Sequence, residues 1–554
     1  MKKKIKIGLL INTYNLPIWE YIIIRKLMNS HHSDIKLIIK NDTRNNKKLL
    51  KKIKNHWKHF VYLLYIKLDK QIFKLKNSPS ELKDSKNLLK KITEIKVEPV
   101  STKFSDKFKK KDIDDIKSHD LDILIRFGFG ILRGEILKSS KYGVWSYHHG
   151  DNSINRGGPA GFWEVIEGIG TTGSILQILT EDLDAGKILY KSSSKTDEFS
   201  INRNKHNYYW KSLSFLPRKI EELYNIGEDA FFKKVDYENR YPTFYSNRLY
   251  SKDNFCNIKM SILFLHNILK MLYKKIYIKI FLEQWILLFS LENGLSTSFW
   301  RFKKIIPPKD RFYADPFIVK RDETYYIFIE EALYSTEKGH ISVIEMNSKG
   351  EYKPPVTIID KPYHLSYPHI IELADKYFMI PESNKNKTIE LYECINFPYE
   401  WEFKMNLMEE VTAVDSTLFF YNDKWWLFCN MIEHPEASLN DELYLFYADK
   451  LETTEWVAHP MNPIISDVTK SRPAGNIFMH KDKIIRPSQN STSKYGYGMT
   501  MNEIVTLNEK EYAEVKFSSI EPNWNKKILR THTFNHTGNL TIIDGRFKRK
   551  RTLL

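Results

Sequence analysis

Ser146 and His148 stand two residues apart where a predicted strand over 143–146 ends, and the triplet Asp184-Ala185-Gly186 begins 36 residues after the imidazole. Arg156 and Gly157 lie between them, the guanidinium eight residues after His148. An amine attacking an acyl carbon passes through a tetrahedral oxyanion and must shed a proton. Such a reaction needs a hydrogen-bond donor, an orienting group and a carboxylate, and those residue types are present here. A second set lies in the other half of the chain. Asp315, Asp415, Arg472 and His532 open similar segments, and Glu382 and Arg486 close strands near them. Paired carboxylates in one funnel suit glycosyl chemistry, one held neutral as acid and one ionised. The same residues also suit carbohydrate or lipid-headgroup binding, and Asp at a strand opening commonly caps a turn.

The elements that must position the first set alternate. A strand over 5–11, a helix over 17–28 and a strand over 35–39 predict a parallel α/β sheet. A lysine-rich, mostly helical insertion follows over about 42–95, after which the pattern resumes with a strand over 122–125, a Gly-Phe-Gly turn at 128–130, a short helix over 132–139 and the strand over 143–146. Side chains at the carboxyl ends of such strands face the crevice where open α/β sheets bind ligands. This gives a first domain over 1–245. A linker over 246–296 contains an apolar run, 258–292, broken by Lys270, Lys274, Lys275 and Lys279. Its pattern predicts amphipathic helix, either a connecting element or one lying in a membrane interface.

From 297 to 554 the chain repeats itself. Asp315, Tyr367, Asp415, Pro473 and His532 mark five similar segments at intervals of 52, 48, 58 and 59 residues, each built from short aromatic and β-branched strands. That period predicts a five-bladed β-propeller, in which the inner strands converge and the residues opening each blade share one funnel. A two-sheet sandwich would not keep the inner-strand motif in step.

Motifs in the first half resemble the formyltransferase superfamily, which includes methionyl-tRNA, glycinamide-ribotide and amino-sugar formyltransferases. They are DLDILIRFGFGIL, SYHHGDNSINRGGPAGFWEVIEG and TGSILQILTEDLDAGKILY, at the family's own spacing from His148 to Arg156-Gly157 and to Asp184. The resemblance implies an α/β Rossmann-like formyltransferase fold over roughly residues 1–200. It makes His148 the donor, Asp184 its orienter or proton acceptor, and the residue at 146 a second oxyanion donor. It also places Phe127, Gly128 and Phe129 against the pterin of 10-formyltetrahydrofolate and Arg156 and Gly157 beside substrate. The family carries Asn where this chain has Ser146, and losing one oxyanion donor costs about 10²–10³ in rate. A one-residue shift would make His149 and Tyr147 the pair instead, and the same fold can serve as a scaffold without chemistry.

The second half resembles the propeller at the amino-terminal side of glucosamine inositolphosphorylceramide transferases and, more distantly, five-bladed glycosidase propellers. The motifs are Tyr313-Ala314-Asp315-Pro316-Phe317, Pro381-Glu382-Ser383, Ser471-Arg472-Pro473-Ala474-Gly475 and Arg486-Pro487-Ser488-Gln489. The resemblance implies Asp315 as base and Asp415 as a supporting acid.

The 554 residues, 42% hydrophobic and 28% charged, exclude disorder and exceed one core. Three scattered cysteines give neither a disulfide framework nor a zinc site, and no metal is expected. No stretch predicts a membrane span, and the basic start reads as a first strand rather than a leader, so the expected location is cytoplasmic or peripheral at the inner membrane surface. The net charge of +18, concentrated at 47–111 and 546–551, favours anionic partners. No aromatic-interleaved nucleic-acid module accompanies it. The composite expectation is an acyl-transfer enzyme moving a formyl group to an amino sugar or glycan acceptor. The alternative is a glycan-directed propeller beside a non-catalytic first domain.

Overall fold

The computed structural model describes residues 2–43, 59–102, 105–154, 156–182, 185–242, 249–250, 256–492 and 496–551. The chain divides into two compact units, Met1–Leu269 with Glu433–Ala437, and Lys270–Ile432 with Ser438–Leu554. Strands dominate the described residues.

The first unit is built on Ile5–Ile11, whose unbroken apolar run suits a strand covered on both faces. Ile7, Leu9 and Ile11 turn one way, into a core with Ile23 and Ile24 of helix Ile18–Met28 and Ile220 and Leu223 of helix Phe215–Ile226. Leu10 turns the other way, against Ile113 and Ile116 of helix Lys110–Ser118. The sheet has seven strands, in the order Lys187–Lys195, Thr171–Ile178, Val144–His148, Ile123–Arg126, Ile5–Ile11, Ser33–Asn41 and Thr93–Val97. Neighbours among the last five pair in parallel, while Thr171–Ile178 pairs antiparallel on both sides. Thr93–Val97, read from sequence as the tail of the insertion, is thus an edge strand. Within the insertion, helix Phe60–Ile72 is described, and 44–58 lie outside the described residues. The short helix expected over 132–139 is a single 3-10 turn, Glu135–Lys138.

The second unit is a propeller of five sheets. Four are consecutive: Arg311–Arg321 through Val356–Ile359, Ser366–Leu373 through Glu400–Glu409, Ala413–Tyr421 through Val457–Ala458, and Phe478–His480 through Tyr512–Ile520. The fifth is shared between distant segments, because Phe281–Leu291 pairs along its whole length with Leu540–Lys550, from Phe281 opposite Lys550 to Leu291 opposite Leu540. Each adjacent pair of blades encloses its own apolar core. Phe317 and Tyr367 meet between blades one and two, Leu391 and Leu427 between two and three, Phe428 and Ile484 between three and four. Blade five closes the ring by contributing to the last two cores, through Ile286 and Leu288 toward blade four and Leu287 and Phe289 toward blade one.

That closure corrects the helix expected over 258–292. The helix is Asn257–Ile280, and Phe281–Leu291 is a strand. Ile286 to Phe289 are all buried because successive side chains fill the cores on opposite sides of blade five. A short apolar run buried on both faces has no alternation, so its periodicity does not separate strand from helix.

Candidate functional site

Asp315, Tyr367 and Asp415 occupy equivalent places on the inner strands of blades one, two and three. Each has positive φ, 49°, 45° and 51°, and each sits in a break of the strand register. A bulge of this kind re-aims a side chain, and aspartate tolerates the left-handed region better than most residues. At three of the five sequence landmarks the repeat is therefore a repeated backbone kink.

Two linked clusters result. In one, Asp315 Oδ1 accepts from Thr533 Oγ1 at 2.6 Å, and the Asp315 amide donates to Asp544 Oδ2 at 3.3 Å. His532 Nδ1 lies 2.5 Å from Asp544 Oδ2 and 3.6 Å from Asp315 Oδ1, with its ring stacked on Trp285 at 4.1 Å. Burial alone would lower the His532 pKa, but the Asp544 and Asp315 carboxylates outweigh it and hold the imidazole at about 9. Burial pushes Asp315 up to about 7, with His532 opposing and Glu330, Asp415 and Asp544 adding to the rise.

In the other cluster, Arg472 grips Asp415 through two bonds, Nε to Oδ2 at 2.5 Å and Nη2 to Oδ1 at 3.0 Å. The same guanidinium reaches Glu382 Oε2 at 3.4 Å and Asn440 Oδ1 at 3.0 Å. Gln489 Nε2 donates to Asp415 Oδ2 at 2.8 Å. Burial, then the neighbouring Asp415 carboxylate, raises the Glu382 carboxyl well above its ordinary range despite the opposing Arg472. The result is a neutral acid beside an arginine-clamped carboxylate, the division of environments that acid and base chemistry requires.

The structure brings Asp315, Glu382, Asp415, Arg472 and His532 into electrostatic contact and sets Arg486 apart. Arg486 is buried against Glu514, at 2.8 and 3.1 Å, and the carbonyl of Lys470. Sequence reasoning did not single out Asp544, Gln489, Thr533 or Trp285. Gln489 stood inside one of the propeller motifs and Asp544 follows the His532 landmark by twelve residues, but their partners depend on which strands lie side by side. Among the described residues, Asp315, His532 and Asp544 are also the one group placed to hold a metal ion.

In the first unit, His148 is the last residue of Val144–His148 and is half-buried, and Ser146 is buried two residues before it. Ser146 Oγ accepts from Arg126 Nε at 3.1 Å and directs its own proton to the Tyr147 carbonyl at 3.2 Å. Asp184 lies outside the described residues. His149 is enclosed by Trp19, Tyr147 and Tyr209, and burial drives its pKa down to about 3. Arg156 and Gly157 form a two-residue strand beside Leu249–Tyr250. Phe127 packs edge-on to Trp19, and Phe129, at φ 65°, donates its amide to Asn12 Oδ1 at 2.9 Å. A cleft of about 510 Å³ is lined by Asp151, Ser153, Gln177, Gly186, Lys191 and Asn239, without His148 or Ser146.

Residues 304–537 match the family described as glucosamine inositolphosphorylceramide transferase 1, N-terminal. Glucosamine inositolphosphorylceramide transferase 1 of Oryza sativa subsp. japonica is 32% identical over 207 residues, 37% of this chain and 28% of that protein. The chain therefore spans less than a third of that relative's length. A methionyl-tRNA formyltransferase of Prochlorococcus marinus is 36% identical over 89 residues, 16% of this chain and 26% of that one. Among solved structures, a family 117 glycoside hydrolase from Zobellia galactanivorans covers 48% of this chain and 90% of its own at 12% identity, with a TM-score of 0.33.

Proposed function

We propose that the propeller is a glycan-directed site that breaks or transfers a glycosidic bond, with Glu382 as proton donor and Asp315 as base. The observation that carries this reading is the separation of environments within one buried constellation: Glu382 is held neutral, Asp315 changes charge near pH 7, and Asp415 is clamped by Arg472. A donor carboxyl protonates the departing glycosidic oxygen while the ionised carboxylate activates the incoming hydroxyl or water on the other side of the ring. His532, cationic below about pH 9, faces the charge left on Asp315. The family match over 304–537, to the N-terminal part of proteins named glucosamine inositolphosphorylceramide transferase 1, supports a saccharide ligand.

The expected outcome on a glycan array and on aryl glycosides is that E382Q keeps saccharide binding but loses turnover by about 10²–10⁴, and D315N behaves alike. The rate should rise with pH through about 7 as Asp315 ionises and fall again once Glu382 loses its proton. Absence of both binding and turnover in the parent chain would overturn the proposal.

A second reading has the first unit transfer a formyl group from 10-formyltetrahydrofolate to an amino sugar, with His148 and Asp184 as the reacting pair. The methionyl-tRNA formyltransferase likeness and the place of His148 at the end of a central strand favour it. The described residues do not fit the cofactor well. A Cβ on Gly128 would lie 2.6 Å from the Asn12 amide, so that glycine is needed by the sheet itself, and the Ser146 hydroxyl donates to the Tyr147 carbonyl. No step is assigned to folate. Titration calorimetry with a stable formyltetrahydrofolate analogue tests this reading separately: heat that H148A abolishes supports it, and no heat removes it.

A further inference from the structure

Helix Phe60–Ile72 of the first unit, and helix Asn257–Ile280, which runs on from that unit into the second at Lys270, carry apolar side chains that stand exposed among the described residues. Helix Phe60–Ile72 and the start of helix Asn257–Ile280 pair through Tyr65 stacked on Phe264 at 3.7 Å, with Asn267 donating to the Tyr65 hydroxyl at 2.7 Å. Those contacts use one side of each helix. On the outer side Phe60, Leu63, Leu64 and Leu68 of the first helix are exposed. On the second, Ile258, Ile262, Leu265, Leu269, Leu272 and Ile276 are exposed, Ile262 at 64% and Leu265 at 58%.

Their spacing of three or four residues places the second group on a single stripe, at about 100° per residue. The same geometry puts Lys279 at one border of the stripe with Lys275 beyond it, and Lys259 and Lys270 beyond the other border, while Lys274 falls on the opposite face. Long lysine side chains bordering a buried apolar face can lie along it and keep their ammonium groups at the water boundary. Over the two helices the sole acidic residue is Asp69, which is buried.

We infer that this face docks on an anionic lipid surface, with the helix Asn257–Ile280 lying in the headgroup region. Exposed apolar area of this extent marks an interaction site, and the charge on the surface decides its occupant. Lysines without exposed acids complement anionic headgroups, whereas a second copy of the chain would set lysine against lysine. No described helix is long and apolar enough to cross a membrane, so the contact is peripheral. This inference is independent of either catalytic reading.

Flotation of the full chain with vesicles tests it. The chain should float with phosphatidylcholine vesicles containing phosphatidylserine and stay behind with phosphatidylcholine alone. I262D/L269D should weaken binding by about tenfold or more through lost apolar insertion. K275Q/K279Q should weaken it about 30-fold at low salt, the loss expected for two headgroup-facing charges. Both variants alter exposed side chains, so an unchanged circular dichroism spectrum and melting midpoint should accompany the loss. Failure to float with the anionic vesicles, or equal flotation of both variants, overturns the inference. So does a lipid-free dimer that I262D/L269D dissociates, since the face would then belong to a second copy.

Discussion

Tyr367 joins three blades through one hydroxyl. Its Oη lies 2.9 Å from Thr417 Oγ1 of blade three and accepts the Gly475 amide of blade four at 2.8 Å, while its backbone belongs to blade two. Tyr367→Phe keeps the ring contact with Phe317 but orphans a buried amide, at a cost of about 1–3 kcal/mol. Denaturant unfolding of the propeller should read that loss directly. His532 carries a pH dependence of definite sign. Its folded pKa is raised from 6.5 to about 9, so the stability it supplies is fully present below about pH 6.5 and disappears as pH rises through about 9. Asp315, raised from 3.8 to about 7, acts in the same direction over a lower window. The melting midpoint of the propeller should fall as pH is raised from about 6.5 through about 9. H532Q should flatten the upper part of that decline.

Among the elements, Phe281–Leu291 decides whether the ring closes. It is the partner of Leu540–Lys550 and the source of Ile286, Leu287, Leu288 and Phe289 in two interblade cores. A chain beginning at Phe281 should fold as a propeller, and one beginning at 297, after this strand, should not. The check is dispersion in the proton–nitrogen NMR spectrum together with a cooperative melt. Gly475 marks a second such point. At φ 117° its missing side chain leaves room for the Phe534 carbonyl, 2.0 Å from where a Cβ would stand, so blade four can approach blade five.

At the scale of the whole molecule, the two units have separate apolar cores. Ile7, Ile23 and Leu223 anchor one, and the five interblade clusters anchor the other. Such a chain should not unfold as a single two-state system. Calorimetry should resolve more than one transition, with Y367F moving only the propeller's. One transition that shifts as a whole would contradict this expectation.

The blade repeat was legible because kinks recur: Asp315, Tyr367 and Asp415 announce the same bulge at nearly the same interval. So were the buried central strand Ile5–Ile11 and the convergence of Asp315, Glu382, Asp415, Arg472 and His532, since residue type and period follow from local backbone chemistry. Other features depended on partners far away in sequence. Phe281–Leu291 is a strand only because residues 540–550 pair with it, and Asp544 joins His532 only because the chain's last long strand lies beside the segment that opens blade five. Arg486 could not be told from Arg472 by motif, yet one meets Glu514 and the other Asp415. Sequence alone determined local conformation and the supply of charged groups. Tertiary structure decided which charges meet out of water, and burial together with those meetings is what raises the Asp315 and Glu382 carboxyls above their ordinary range.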